Sequence, residues 1–249
     1  MEPIRSTRNP AVIETGRLHR VRERRQRGRT ILEGPNLVGE AMRAGISIER
    51  TFALTDDPRA GEWPAVTLVD HPVMRKLAAT DTPRGPVAVM QIPDWTMPDA
   101  TAHLLVLWGV SDPGNVGTII RSAAAFGLGV VVGPESADVW SPKALRAGAG
   151  GHFRLASLSS VDRLKELPDH RLAATVVSGG QDPAQLGSGP WALVIGGEPH
   201  GLDADVTATT GTQVTIPMAA DTESLNAAVA ASILAYILKT GSGRRPAAH

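Results

Sequence analysis

DPGNVGTIIRSAAAFG, residues Asp112–Gly127, decides the fold. Pro113 and Gly114 form a turn, and Asn115 suits a helix N-cap. Ile119, Ile120, Ala123, Ala124, Ala125 and Phe126 are apolar, which buries most of the helix, while Gly117 allows close packing against a strand or a ligand. Directly before it runs HLLVLWGV (His103–Val110), a continuous apolar strand of the kind buried on both faces of a parallel sheet. Two later stretches repeat the form of strand end, turn, polar residues and helix: IGGEPHGL (Ile195–Leu202) and IPMAADTESLNAAVAAS (Ile216–Ser232). Three such turns converge on one crevice, where open α/β sheets place their ligands.

Each stretch carries residues with chemistry. Arg121 lies within the first two turns after Asn115. It either finds an anionic or hydrogen-bonding partner or reaches solvent along its stem. Glu198 follows two glycines at a strand end, which either let a ligand approach the backbone or form an ordinary turn with an exposed carboxylate. In the third stretch Pro217 stops the strand, Asp221 or Thr222 can cap the final helix, and Ser224 and Asn226 exceed what one cap needs. Ala227, Ala228, Ala230, Ala231 and Ser232 suit close packing against a second helix, possible within the chain or across a dimer. There is no GxGxxG, which weighs against a nicotinamide dinucleotide fold.

Outward from these stretches, the periodicity predicts strands at 129–133, 172–177, 191–195 and 213–216, and helices near 142–147, at 161–167 and at 223–239. Strands alternating with helices make residues 103–249 a parallel α/β domain. Upstream, the pattern predicts one helix over 10–26 with Asn9 as N-cap, a helix at 35–44 and a short one at 71–79. Strands follow at 30–33, 48–54, 66–69 and 87–91, giving a small α/β domain over residues 1–93. IPDWTMPDAT, at the 94–102 boundary, reads as the linker. All three motifs follow it, so removing 1–93 is expected to leave a folded body.

The 249 residues are 42% hydrophobic, enough for two cores. No apolar run approaches the roughly 20 residues of a membrane span, and the N-terminus lacks a secretory h-region, so a cytoplasmic protein is expected. The absence of cysteine excludes disulfides, thiolate metal sites and a cysteine nucleophile, and with it pyrimidine-carbon methylation through a cysteine adduct. No metal site is expected. Net charge is zero, yet residues 1–93 carry 15 Arg/Lys against 11 Asp/Glu, and nine arginines fall within the first 30 residues. Arg22, Arg24 and Arg25 in that run, and Arg146 ahead of GAGGHF, are candidate contacts to a polyanion; the alternative is a solvated face. With few aromatic residues, such a polyanion would be met through its charge more than by aromatic stacking.

The order and spacing of the three stretches resemble the signature motifs of the SpoU (TrmH-like) family of RNA 2′-O-ribose methyltransferases, of the SPOUT superfamily. Asn115 and Arg121 match its first motif, Glu198 its second, and Pro217 with Ser224, Leu225 and Asn226 its third. More loosely, RTILEGPNLVGEAMRAG through DTPRGPVAVM resembles the substrate-binding domain that precedes the catalytic domain in members acting on large ribosomal RNA. The resemblance implies a trefoil knot (α/β knot) in the C-terminal domain, dimerisation through it, and S-adenosyl-L-methionine as cofactor. It implies cofactor contacts at Gly196, Gly197, Ile216 and Leu225, and catalytic roles for Asn115, Arg121, Glu198, Ser224 and Asn226. Gly197 departs from the pattern, since many members have asparagine there. Arg121 suits a positioning role better than a base, because guanidinium is almost never deprotonated. The expected function is 2′-O-methylation of a nucleotide in structured RNA, with 23S ribosomal RNA first and transfer RNA second. A non-catalytic RNA-binding protein and a base-directed methyltransferase on a related knotted fold are the rival classes.

Overall fold

The computed structural model describes residues 2–80, 82–167, 169–197, 201–219 and 223–241. Two compact units form, Met1–Asp94 with Asp138–Phe153, and Trp95–Ala137 with Arg154–His249. The sequence pattern assigns 138–153 to the second domain; in the structure it packs with the first unit.

The chain begins with α1 (Pro10–Arg17) and α2 (Val21–Arg27). Asn9 caps α1 by accepting from the Ala11 N–H, and Gly28 closes α2 at φ 60°. The single helix expected over 10–26 is broken at 18–20. In an unbroken helix the carbonyls of Leu18 and His19 would accept from N–H groups four residues on. Instead both accept from the Arg24 guanidinium, at 2.8 and 2.9 Å, while Leu18 turns into the core. A buried arginine has thus taken the bonds that would have continued the helix.

β1 (Arg29–Glu33), α3 (Pro35–Arg43), β2 (Ile48–Leu54), β3 (Val66–Val69), α4 (His71–Leu77) and β4 (Val87–Gln91) follow. Their sheet has the order β1-β4-β2-β3, antiparallel except for β2 with β3. Val12, Leu18, Ile31, Phe52, Val73, Met74 and Val87 fill its core.

The chain then enters the second unit as β5 (Leu104–Trp108), α5 (Pro113–Phe126) and β6 (Gly129–Val132). It returns to the first unit for α6 (Pro142–Gly148), capped by Ser141, whose approach is pinned where Thr30 on β1 donates to the Trp140 carbonyl at 2.6 Å. The second unit is completed by β7 (Leu158–Ser160), β8 (Arg171–Thr175), β9 (Trp191–Gly196), α7 (Ala204–Thr210), β10 (Gln213–Val214) and α8 (Ala227–Gly241). Its six strands are all parallel, in the order β10-β8-β9-β5-β6-β7, as the continuous apolar strands predict. β5 and β9 lie at the centre with Leu104, Val106, Ala192 and Val194 fully buried.

Further elements differ from expectation, among them β7 (Leu158–Ser160), which no expected strand covers. The 161–167 helix is only a 3₁₀ turn, Leu164–Glu166. α7 is unforeseen because its ADVTATT sequence has low helix propensity; Thr207 and Thr209 satisfy their hydroxyls on the carbonyls of Asp203 and Asp205. The final helix starts at Ala227 rather than 223, with Asn226 as its cap; Asp221 and Thr222 lie outside the described residues.

Candidate active site

The parallel strands β8, β9 and β10 end side by side, and a cavity of about 410 Å³ opens beyond their carboxyl ends. That is the end of an open α/β sheet where ligands bind, and the volume falls within the roughly 300–1,000 Å³ of small-molecule sites. Thr175 and Val176 form one wall, Gly196 and Gly197 another, and Ile216, Met218, Ser224 and Leu225 the loop side. All four expected cofactor residues line it, together with Ser224. Thr175, Val176, Met218 and Glu223 were not singled out for a ligand; the general rule about strand ends is the signal that could have found the first two. Glu223 brings a carboxylate to the lining, and no lysine or arginine is among its described residues. Such a lining suits a cationic, largely apolar ligand such as a sulfonium nucleoside and suits a polyphosphate poorly.

The glycines of the second motif are needed for packing. A Cβ on Gly197 would lie 1.8 Å from the Gly109 carbonyl oxygen, and one on Gly196 2.7 Å from the backbone of Gly201. Gly197 also donates to the Trp108 carbonyl at 3.0 Å, and its own carbonyl accepts from Gly201, closing the turn. This chain therefore cannot take a side chain at 197 without moving the end of β5. Glu198 falls outside the described residues.

Beside the cavity, the N-termini of α5 and α8 are joined. Asp112 caps α5 through the Asn115 N–H, at 2.9 Å, which makes Asp112 rather than Asn115 the cap. Asn226 Oδ1 accepts from the N–H groups of Ala228 and Val229, and its Nδ2 donates to Asn115 Oδ1 at 3.1 Å. About two turns further along the two helices, the Ser122 and Ser232 hydroxyls meet at 2.7 Å, and the Phe126 and Tyr236 rings pack edge to face. The alanine-rich face of α8 is thus partly spent on α5 of its own chain. Its outward face exposes Val229 and Tyr236, with Ile233 half-buried between them.

Arg121 does not join this cluster. It lies on the solvent face of α5 with Thr118 and Ala125 and has no hydrogen-bond or ionic partner among the described residues. Of the two possibilities, the guanidinium reaches solvent. No contact with Asn115, Ser224 or Asn226 orients it.

The arginines of the first unit divide into two groups. Arg22 and Arg25 are exposed on α2 and carry no partner among the described residues. Arg24, also expected to meet RNA, is 3% exposed and bound to Asp138 at 2.6 Å as well as to the two carbonyls that break the helix. It holds residues 138–153 onto the first unit and is unavailable to phosphate. Arg146 is half-exposed and donates to Glu33 at 3.2 Å. Glu33 also accepts from Ala79 N–H and from Thr80, so Arg146 closes a carboxylate already engaged by the backbone. A smaller hollow of about 190 Å³ lies between Arg27, Arg29 and Arg50, but Glu14, Glu23 and Glu49 already pair Arg27 and Arg29. Among the described residues no group of three or more His, Asp or Glu side chains is placed to hold a metal, and no helix is long and apolar enough to cross a membrane.

A crevice at the carboxyl ends of a parallel sheet, beside two helix starts joined through their asparagine amides, is where enzymes of the open α/β class bind a small ligand. Residues 102–236 match the SpoU rRNA Methylase family and residues 9–88 the MRM3-like substrate binding domain. Across its length the chain is 32% identical to the 23S rRNA (guanosine(2553)-2′-O)-methyltransferase RlmP of Bacillus subtilis, covering 96% of this chain and all of that one. It is 35% identical to an uncharacterized tRNA/rRNA methyltransferase of Synechocystis, over 94% of this chain and 92% of the other. Among solved structures, the SpoU methyltransferase AviRb of Streptomyces viridochromogenes in complex with AdoMet superposes with a TM-score of 0.84 at 25% identity, over 95% of this chain and all of the other. The chain belongs to the SpoU rRNA methylase family.

Proposed function

We propose that this chain transfers the methyl group of S-adenosyl-L-methionine to the ribose 2′-oxygen of a nucleotide in 23S ribosomal RNA, as a cytoplasmic homodimer. The observation that carries the reading is the cavity at the ends of β8–β10, which gathers Gly196, Gly197, Ile216 and Leu225 beside the joined amides of Asn115 and Asn226. The full-length likeness to a 23S rRNA 2′-O-methyltransferase supports both the reaction and the substrate.

When bound, the cofactor supplies an electrophilic methyl group on a sulfonium. The protein's part is to hold the ribose in line with that methyl and to help the 2′-hydroxyl lose its proton. The glycine turn and the loop of Ile216, Ser224 and Leu225 hold the cofactor, and the Glu223 carboxylate favours its positive charge. Arg121, charged at all working pH, holds the nucleotide's phosphate and hydroxyl. Its exposure and lack of partner leave it free for that role. Glu198 completes the catalytic set with Asn115, Ser224 and Asn226. Residues 1–93 act as the RNA-binding domain, with Arg22 and Arg25 toward phosphate. The trefoil knot of the C-terminal domain belongs to the same reading, and the stripe of Val229, Ile233 and Tyr236 supports dimerisation through α8.

The test is to incubate the protein with ribosomal RNA and labelled cofactor, digest the RNA, and locate the label by mass spectrometry. A 2′-O-methylated nucleoside is expected. A base-methylated nucleoside, or cofactor binding without transfer, would replace this reading with one of the rival classes.

A further inference from the structure

The amide of Asn226 can face only one way. Two backbone N–H groups, from Ala228 and Val229, point at one of its terminal atoms at 2.9 and 3.3 Å. An N–H can only donate, so that atom is the carbonyl oxygen. The other end is then NH₂, which can only donate, and it meets the Asn115 side chain at 3.1 Å. Asn115 must therefore turn its own oxygen inward. Its NH₂ is left facing away, without a partner among the described residues. Flipping Asn115 alone would set two donors against each other, and flipping both would set an NH₂ against the start of α8. Leu225 and Ala227, either side of Asn226, line the cavity at the ends of β8–β10, so the bonded pair of Asn226 and Asn115 lies beside it.

From this we infer that Asn226 is a positioning residue that locks Asn115 as an obligate hydrogen-bond donor. The group it faces in the substrate must be an acceptor oxygen, the ribose 2′-oxygen as it gives up its proton. Asn115 stabilises that oxygen and cannot receive the proton. The inference rests on the ribose methylation proposed above.

Two variants test it. Asn226→Asp keeps both bonds to the start of α8, where a negative charge is also favoured, but cannot donate to Asn115. Cofactor affinity by calorimetry and the melting temperature should stay at wild-type values. The single-turnover rate of RNA methylation should fall about tenfold or more, with the RNA KM little changed. Asn115→Asp still accepts from Asn226 but loses the outward donor, and its rate should fall by about 100-fold. Lowering the pH from about 8 to about 5 should partly restore that variant, because a protonated carboxyl donates again; the wild-type rate should not rise over the same range. Wild-type speed in Asn226→Asp, or parallel loss of cofactor binding, overturns the inference. Should Asn226→Asp fail to fold, the pH profile of Asn115→Asp decides alone: recovery in acid supports the locked donor and its absence overturns it. Failure of the reading beneath it is distinguishable, since the wild-type protein would then leave no methyl on ribose.

Discussion

Arginines adjacent in sequence do opposite things here, and burial separates them. Arg24 is locked between Asp138 and the carbonyls of Leu18 and His19, so Arg24→Ala leaves a mostly buried carboxylate without its counter-charge. A loss of about 3 kcal/mol of stability is expected in chemical denaturation, the low end for a broken buried pair because Asp138 keeps some solvent. Arg22→Glu with Arg25→Glu should leave stability unchanged. It should instead weaken RNA binding and flatten its log–log salt dependence by roughly 0.7–0.9 per lost phosphate contact. Arg121 is the third case. Exposed and unpaired, its replacement by alanine should leave the melting temperature and cofactor affinity in place and cut the single-turnover methylation rate by about 100-fold or more. Retention of a tenth of the wild-type rate would remove Arg121 from the mechanism. His152, 6% exposed, is held neutral, with its pKa lowered to about 4 by burial against the opposing pull of the Val139 carbonyl and the Asp138 carboxylate. Below its ordinary pKa of 6.5 the unfolded chain takes up a proton that the folded chain refuses until about pH 4. Stability should therefore fall as pH drops through that window, by about 3 kcal/mol at most. His152→Gln should reduce this slope in denaturation curves measured at several pH values; an unchanged slope would place the acid sensitivity elsewhere.

Among the elements, α8 packs one face within the chain and leaves part of another exposed. Ala228, Ala231 and Ala235 are buried and Ser232 bonds to Ser122 on α5, so most of the small-residue pattern serves packing within the chain. The dimer proposed above would use Val229, Ile233 and the exposed side of Tyr236, whose ring also meets Phe126; they are spaced four and three residues apart, which is one helical face. Tyr236→Asp should convert a dimer to a monomer in light scattering at micromolar concentration, by placing a charge in an apolar contact. A wild-type monomer under the same conditions would discard the dimer. The strands were the most legible part of the sequence: 48–54, 66–69 and 87–91 lie as the pattern predicts, because β-branched and aromatic residues between turn residues mark them. The turns at Gly196–Gly197 and Ile216–Pro217, which line or adjoin the cavity, were legible too, since glycine and proline mark turns chemically. What escaped notice had different causes. The break at Leu18–Arg20 needs Asp138, which lies 114 residues beyond Arg24. α7 is rich in threonine, which lowers its propensity, yet its hydroxyls are satisfied on the carbonyls of Asp203 and Asp205, a bond that propensity does not record. The solvent-facing course of Arg121 is a matter of where it falls on the turn of α5, which composition leaves open.

At the scale of the whole molecule, sequence order and compactness part company at residues 138–153. The three motifs lie downstream of the linker, which suggests a catalytic body that survives without residues 1–93. Yet Val139, Trp140, Ala144, Leu145 and His152 are buried within the first unit, and the Trp140 carbonyl accepts from Thr30 on β1. Cutting away 1–93 would expose that apolar set and leave Asp138 without Arg24. At roughly 25 cal/mol per Å² of apolar surface, exposing one large aromatic and several aliphatic side chains is worth several kcal/mol, comparable to a domain's whole stability. The truncated protein should therefore aggregate, or melt well below the intact one, while the described lining of the cavity at the ends of β8–β10 comes wholly from the second unit. Replacing residues 138–153 with a short Gly/Ser linker in the same truncation should recover a soluble body that binds S-adenosylmethionine by calorimetry with near wild-type affinity. It should bind RNA more weakly and with a shallower salt slope, having lost Arg22 and Arg25. If the simple truncation melts as high as the repaired one, the burial of 138–153 contributes nothing to stability, and the catalytic body is self-sufficient in its original boundaries.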